Sequence, residues 1–287
     1  MDNLTNISVV KELLCKHGFT FSKSLGQNFI INPDICPKMA EESIESDKIG
    51  VLEIGPGIGV LTNELCKRAK KVVSVELDKT LFPILEETLC EYDNLKIINS
   101  DILKTDIKKL IETEFIDMDV VVCANLPYYI TSPVIMKFLE DDIDIKSMTV
   151  MVQKEAAQRI CANVGSRESG ALTVAVNFYS DPSLLFNVSK GSFMPSPKVD
   201  SSVIKLMINK EKNEDISDKK LFFRIVRGSF SQRRKTLLNS LSSSLSIDKK
   251  IIGDILKAQS IDENLRAEKV SIEQFKDIYK EMKKRGL

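Results

Sequence analysis

"VLEIGPGIGVLT", residues 51–62, decides how the chain folds. A short apolar run reads as a buried strand, glycines follow at positions 55, 57 and 59, and a helix-like pattern over Val60 to Ala69 begins directly after them. Glycines at such a junction let the backbone pass close to a ligand and leave the amides of the helix N-terminus free to bind it. The spacing is G-x-G-x-G. Val60 occupies the sixth position of the dinucleotide fingerprint, which argues against a pyrophosphate cradle, and a plain tight turn stays open at this point.

Working outward, further apolar runs alternate with amphipathic stretches: "GVLEIG" (50–55), "KVVSVEL" (71–77), "NLKIINS" (94–100), "MDVVVCAN" (118–125) and "SMTVMVQ" (147–153), with a second helical pattern over Lys79 to Cys90. Near-continuous apolar strands separated by helices predict an α/β fold with a mostly parallel sheet covered on both faces. After residue 153 the pattern changes. "ALTVAVNFY" (171–179) and "SSVIKLMI" (201–208) read as two strands pairing antiparallel at one edge. The charged stretch "NKEKNEDISDKK" (209–220) marks a boundary, and the segments after it read as helix, apart from a loop at "SLSSSLS" (240–246). The expected organisation is a larger domain over residues 1–209, opened by an N-terminal segment (1–49), and a small all-α domain over 210–287.

Composition narrows the classes of function. The 287 residues are 43% hydrophobic, enough to fill a core without disulfide staples. Formal net charge is zero, but residues 205–287 hold 20 Lys and Arg against 12 Asp and Glu, leaving 21 against 29 in the rest. A basic tail piece on an acidic body suggests a polyanionic partner, although a solvated helical face gives the same count. The six cysteines (15, 36, 66, 90, 123 and 161) form no C-x-x-C pair and read as reduced thiols. His17 is the only histidine, which excludes a His-based triad or a multi-His metal centre. No apolar run reaches the roughly 20 residues that span a bilayer, and "MDNLTNISVV" lacks the pattern of a signal peptide. A cytoplasmic protein with no metal and no membrane partner is expected.

Three consecutive strand ends carry Gly, Glu and Asp. Glu76 closes the second strand, where a carboxylate can accept both hydroxyls of a ribose, and Asp101 follows the third, where it can meet the exocyclic amine of an adenine. Each alone could instead cap a helix. Together with the glycine loop they point to an adenosyl ligand without a diphosphate, S-adenosylmethionine. The fourth strand runs into "NLPYYITSP" (125–133). The lone pair of an adenine amine is delocalised into the ring, so a methyl acceptor of this kind must be held well. The Asn125 side-chain carbonyl and the Leu126 backbone carbonyl can each accept one N–H, Pro127 fixes the turn, and Tyr128 offers a stacking face. A strand-terminating Asx-Pro turn with a core tyrosine is the bland alternative.

Seven stretches then add up to a pattern: "SLGQNFIINP" (24–33), "LEIGPGIGVLT" (52–62), "VVSVELD" (72–78), "SDIL" (100–103), "NLPYYITSP" (125–133), "FMPSPKVDSSV" (193–203) and "RRKTLLNSL" (233–241). The chain resembles the ribosomal RNA adenine dimethyltransferases over nearly its whole length, and within them the bacterial small-subunit (16S) enzymes. The resemblance implies a Rossmann-like class I methyltransferase fold with a C-terminal helical RNA-binding domain, the N-terminal segment covering the cofactor. It implies cofactor contacts at Asn28, Ile30, Gly55, Gly57, Glu76, Asp101 and Asn125, and a catalytic motif at Asn125, Leu126, Pro127 and Tyr128. Phe193 matches an aromatic that closes over the target base, and Arg233, Arg234 and Lys235 would position RNA phosphates. The activity implied is dimethylation of two adjacent adenosines near the 3′ end of 16S rRNA, on an immature 30S subunit, by a monomer. Ser196, Ser169 and Leu238 depart from the pattern, where the family often has proline, an aromatic and arginine, and Ser196 would loosen the loop that carries Phe193.

Other readings keep parts of this. A large-subunit rRNA methylase of the macrolide-resistance type, or a DNA adenine methylase, would use the same chemistry on another target. A ribosome-assembly or transcription factor would use the scaffold without the chemistry.

Overall fold

The computed structural model describes residues 4–141, 143–232 and 234–287, the side chains of Lys23 and Lys210 excepted. In chain order the elements are α1 (Ile7–Lys16), β1 (Phe29–Ile30), α2 (Ile35–Ser43), β2 (Gly50–Ile54), α3 (Val60–Cys66), β3 (Lys71–Glu76), α4 (Phe82–Thr88), β4 (Leu95–Asn99) and α5 (Ile107–Glu114). There follow β5 (Val120–Asn125), α6 (Thr131–Glu140), β6 (Ser147–Gln153), α7 (Lys154–Ile160), α8 (Ala171–Tyr179), β7 (Ser180–Val188), β8 (Phe193–Met194) and β9 (Ser201–Ile208). The last four helices are α9 (Lys219–Phe230), α10 (Leu237–Leu245), α11 (Lys249–Ala258) and α12 (Ile272–Lys284).

A seven-stranded sheet runs in the order β4-β3-β2-β5-β6-β9-β7. Strands β4, β3, β2, β5 and β6 are parallel, and β9 lies antiparallel to β6. All of β2 and all but the last residue of β5 and β6 are buried, which is why these strands are mostly apolar rather than alternating, with Glu53, Ser147 and Thr149 as buried polar exceptions. Sheet order reverses direction between β2 and β5, the position at which open α/β sheets bind ligands beyond their carboxyl ends. A second, two-stranded sheet pairs β1 with β8.

The chain divides into two compact units, Met1–Ala157 with Ser183–Ile208, and Gln158–Pro182 with Asn209–Leu287. The expected boundary near residue 209 is thus one of several crossings, because residues 158–182 group with the C-terminal helices.

The expected strand over 171–179 is helix α8 instead. Thr173 Oγ1 accepts from Gly170 N at the helix start and donates to Arg159 O at 2.7 Å. Thr173, Val174, Ala175, Val176 and Phe178 are all buried, so the helix has no polar face to give it a 3.6-residue period. Phe178 packs on Phe222 and Phe223 of α9 with ring centroids at 4.8 and 5.1 Å. The edge strand that sequence reading missed is β7, next to β9. The expected loop over 240–246 also differs, since residues 240–245 complete α10, with Thr236 as its N-cap and Ser240 and Leu241 buried.

Candidate active site at the carboxyl rim of the sheet

Register sets which residues share a level. Ile54 of β2 pairs with Val75 of β3 and with Ala124 of β5, so Gly55, Glu76 and Asn125 each stand one step further on, at the rim. Glu76 in turn faces Asn99 of β4, and Asp101 follows two residues later. A cavity of about 210 Å³ opens at this rim. Every residue assigned above to the cofactor or to catalysis lines it: Asn28, Ile30, Gly55, Gly57, Glu76 and Asp101 on one part, and Asn125, Leu126, Pro127, Tyr128 and Phe193 on the other.

The glycine loop is built for close approach. Gly55, Gly57 and Gly59 have φ of 71°, 60° and 92°, a region that side chains disfavour. Gly55 N donates to Val75 O at 3.0 Å, and nothing lies within 4 Å of the place its Cβ would take. A Cβ at Gly57 would stand 3.2 Å from the ring of Phe29. Glu76 is 7% exposed, and its Oε1 accepts from Asp78 N at 2.8 Å. Burial raises the affinity of its carboxyl for a proton, against the backbone N–H groups of Asp78, Gly57 and Leu77, which favour the ionised form. Asp101 Oδ1 accepts from Leu103 N at 3.0 Å. Two carboxylates, an open glycine face and walls that include Ile58, Val75, Leu81 and Ile102 fit an uncharged purine nucleoside: hydroxyls and an amine to donate, a ring to bury.

The second part of the cavity is held by contacts distant in sequence. Asn125 Nδ2 donates to Asn28 O at 3.3 Å, and Leu126 N to Met151 O at 3.2 Å. Among the described residues Asn125 Oδ1 takes no hydrogen bond, so it remains an acceptor for a ligand. Pro127 has φ −54° and leads into a 3-10 turn over Tyr128–Ile130. The Tyr128 hydroxyl lies 2.8 Å from Ser201 Oγ, which fixes its ring plane from β9. Phe193 is 4% exposed and pairs in register with Ile30, while Ile31 N donates to Ser192 O at 2.9 Å. Ser196 Oγ donates to Lys190 O at 2.8 Å, so the serine closes its loop with a hydrogen bond that proline would lack.

A family model described as "Ribosomal RNA adenine dimethylase" matches residues 18–284. The chain belongs to this family. Among curated relatives, a ribosomal RNA small subunit methyltransferase A of Alkaliphilus oremlandii is 46% identical over 276 residues, 96% of each chain. The protein of the same name from Bacillus licheniformis is 47% identical over 269 residues, 92% of each chain. A solved dimethyladenosine transferase from Plasmodium falciparum superposes with a TM-score of 0.74 at 31% identity, over 90% of this chain and 98% of that one.

Within this adenine dimethylase fold some site residues were not found from sequence. Gln27 donates to Asp78 Oδ2 at 2.6 Å, tying the N-terminal segment to the end of the turn that follows β3. Ser201, Gly26 and Tyr129 likewise act through contacts between distant segments. The only available signal was their place inside or beside the motifs. Of the expected RNA contacts, Arg233 lies outside the described residues, while Arg234 and Lys235 are exposed. Among the described residues no group of three or more His, Cys, Asp and Glu is placed to hold a metal ion, and no helix is long and apolar enough to cross a membrane.

Proposed function

We propose that this chain transfers methyl groups from S-adenosylmethionine to the exocyclic amines of two adjacent adenosines near the 3′ end of small-subunit rRNA, acting as a cytoplasmic monomer on an immature 30S subunit. The observation that carries the reading is the hydrogen bond from Asn125 to Asn28 O, because it leaves one amide oxygen free at the rim, level with the glycine loop. Family membership and the curated small-subunit relatives support the target.

When bound, the cofactor supplies an electrophilic methyl carbon on a sulfonium. The chain does the rest by placement. Glu76 accepts the ribose hydroxyls and Asp101 the amine of the cofactor's adenine, with Asn28, Ile30, Gly55 and Gly57 closing around them. Asn125 Oδ1 and Leu126 O each accept one N–H of the target amine, which localises its lone pair toward the methyl carbon. Pro127 aims the Leu126 carbonyl. Tyr128 and Phe193 grip the two faces of the extruded base and offset the few kcal/mol that leaving its stack costs, roughly. The methylated amine is strongly acidic and sheds its proton to a carbonyl or to water, so no histidine is needed. Orientation of this kind can supply on the order of 7–11 kcal/mol. Arg234 and Lys235, with Arg233, contact phosphates and read no sequence.

The test is to incubate the protein with labelled S-adenosylmethionine and under-methylated 30S particles, 50S particles or duplex DNA, and to map the label. Label on two neighbouring adenosines of the 30S RNA is the expected result. Label confined to 50S particles or DNA would reassign the substrate.

A further inference from the structure

Two tyrosines follow each other in the catalytic turn, and only Tyr128 has a task so far. In a 3-10 turn, three residues complete a circle, so consecutive side chains diverge by about 120°. Tyr128 is half-buried with its hydroxyl on Ser201. Tyr129 is 55% exposed yet still lines the cavity, which places its ring at the mouth.

That ring is braced without being covered. A Cβ built on Gly26 would lie 3.6 Å from two of its carbons and 3.7 Å from Pro127 Cβ, ordinary contact distances, so the ring rests against the N-terminal segment, where φ of +61° calls for glycine. Among the described residues the Tyr129 hydroxyl has no hydrogen-bond partner, and its ring has no aromatic neighbour. A large apolar face held in place at a cavity mouth, with water on one side, resembles the stacking platforms that bind unpaired bases.

We propose that Tyr129 is a stacking platform for the nucleobase next to the target adenine. The inference rests on the proposed function above. Extruding an adenine into the cavity strips its neighbour of a stacking partner, and the chain that carries both must leave through the mouth. Tyr128 receives the reacting base and Tyr129 the adjacent one, so the turn reads a dinucleotide step through two ring faces. Because every base has a π-face, the platform accepts any unstacked neighbour with little regard to its identity.

The test compares Tyr129→Leu, which keeps bulk over Gly26, with Tyr129→Phe, which keeps the ring. Steady-state methylation of under-methylated small-subunit particles gives KM and kcat, and calorimetric binding of S-adenosylhomocysteine reports on the fold of the site. Tyr129→Leu should raise KM for the particle roughly tenfold with a smaller change in kcat, while Tyr129→Phe stays within about twofold of wild type. A short oligoribonucleotide with 2-aminopurine beside the target should show fluorescence quenching on binding to wild type and to Tyr129→Phe, and lose it with Tyr129→Leu. The proposal is overturned by an unchanged KM in Tyr129→Leu, by equal damage in Tyr129→Phe, or by weakened S-adenosylhomocysteine binding that accounts for the whole effect. A wild-type protein that methylates no adenosine in these particles defeats the functional reading and this inference with it. Normal wild-type methylation with a normal KM in Tyr129→Leu defeats this inference alone.

Discussion

Asn125 and Asn28 are 97 residues apart in sequence and joined by one hydrogen bond, Nδ2 to backbone O at 3.3 Å. This contact chooses the orientation of the Asn125 amide: the N–H side is committed to the N-terminal segment, and the oxygen is the acceptor that remains.

Asn125→Ala removes that acceptor. The expected loss in kcat is on the order of 10²–10³, the range for deleting one preorganised polar group at a reacting centre. Asn125→Asp keeps an acceptor but replaces the donor to Asn28 O with a second oxygen, so it should also be strongly impaired. Binding of S-adenosylhomocysteine should weaken by less than about tenfold in Asn125→Ala. Near-normal turnover in both variants would remove Asn125 from the mechanism.

Glu76 is buried and already accepts from Asp78 N, and its remaining capacity faces the cavity. Glu76→Ala should therefore weaken S-adenosylhomocysteine binding by roughly tenfold to a hundredfold, the scale of losing hydrogen bonds to a charged acceptor. Glu76→Gln, which can still accept through one oxygen, should lie between. Calorimetry decides it: equal affinities for all three proteins would take the ribose hydroxyls away from this side chain.

A second carboxyl, Glu53 on β2, lies wholly inside the fold. Thr62 Oγ1 and Ser74 Oγ donate to its Oε2 at 2.8 and 2.6 Å, while Oε1 has no partner among the described residues. Burial pushes its pKa up to about 7, with the two hydroxyls opposing and Glu76 adding to the rise. The folded state thus binds this proton more tightly than the unfolded chain, whose ordinary value is 4.5. Its contribution to stability is fully present below pH 4.5 and lost as pH rises through 7, about 3 kcal/mol at most across that window. Glu53→Gln should flatten this component and leave the protein more stable than wild type at pH 8. Denaturant midpoints at pH 5.5 and 8 check it, because the difference between the two proteins isolates Glu53 from other carboxyls. An identical pH response in both would show that the proton is held elsewhere.

The parallel strands and their rim were legible in the sequence for one physical reason: strands buried on both faces are mostly apolar, so the polar residue that ends each run marks the rim, the buried pair Glu53 and Ser74 being exceptions inside β2 and β3. Glu76 and Asn125 were found in this way. Helix α8 was not, because a helix buried on most sides loses the amphipathic period and its β-branched residues imitate a strand. The serines of α10 suggested a loop, but Thr236 caps the helix and Leu241 anchors it, which outweighs their weak preference for turns. Pairing of Ile30 with Phe193 joins two strands of two residues each, too short for any pattern. Gln27 with Asp78 and Tyr128 with Ser201 are products of tertiary folding and have no local signature.

The basic segment that precedes the N-cap of α10 gives the last expectation. Arg234 and Lys235 are exposed, so their value lies in displacing counterions from a phosphate backbone. Neutralising Arg233, Arg234 and Lys235 together, as glutamines, should weaken RNA binding at low salt and reduce the slope of log K against log salt by about 2, given roughly 0.7 per contact on single strands. The loss should be nearly the same for related RNA sequences, since phosphate contacts position without specifying. Binding isotherms between 50 and 200 mM salt measure both quantities, roughly the range over which such contacts dominate. A slope equal to that of wild type would make these cations a solvated surface and move the RNA contact to another face of the helical unit.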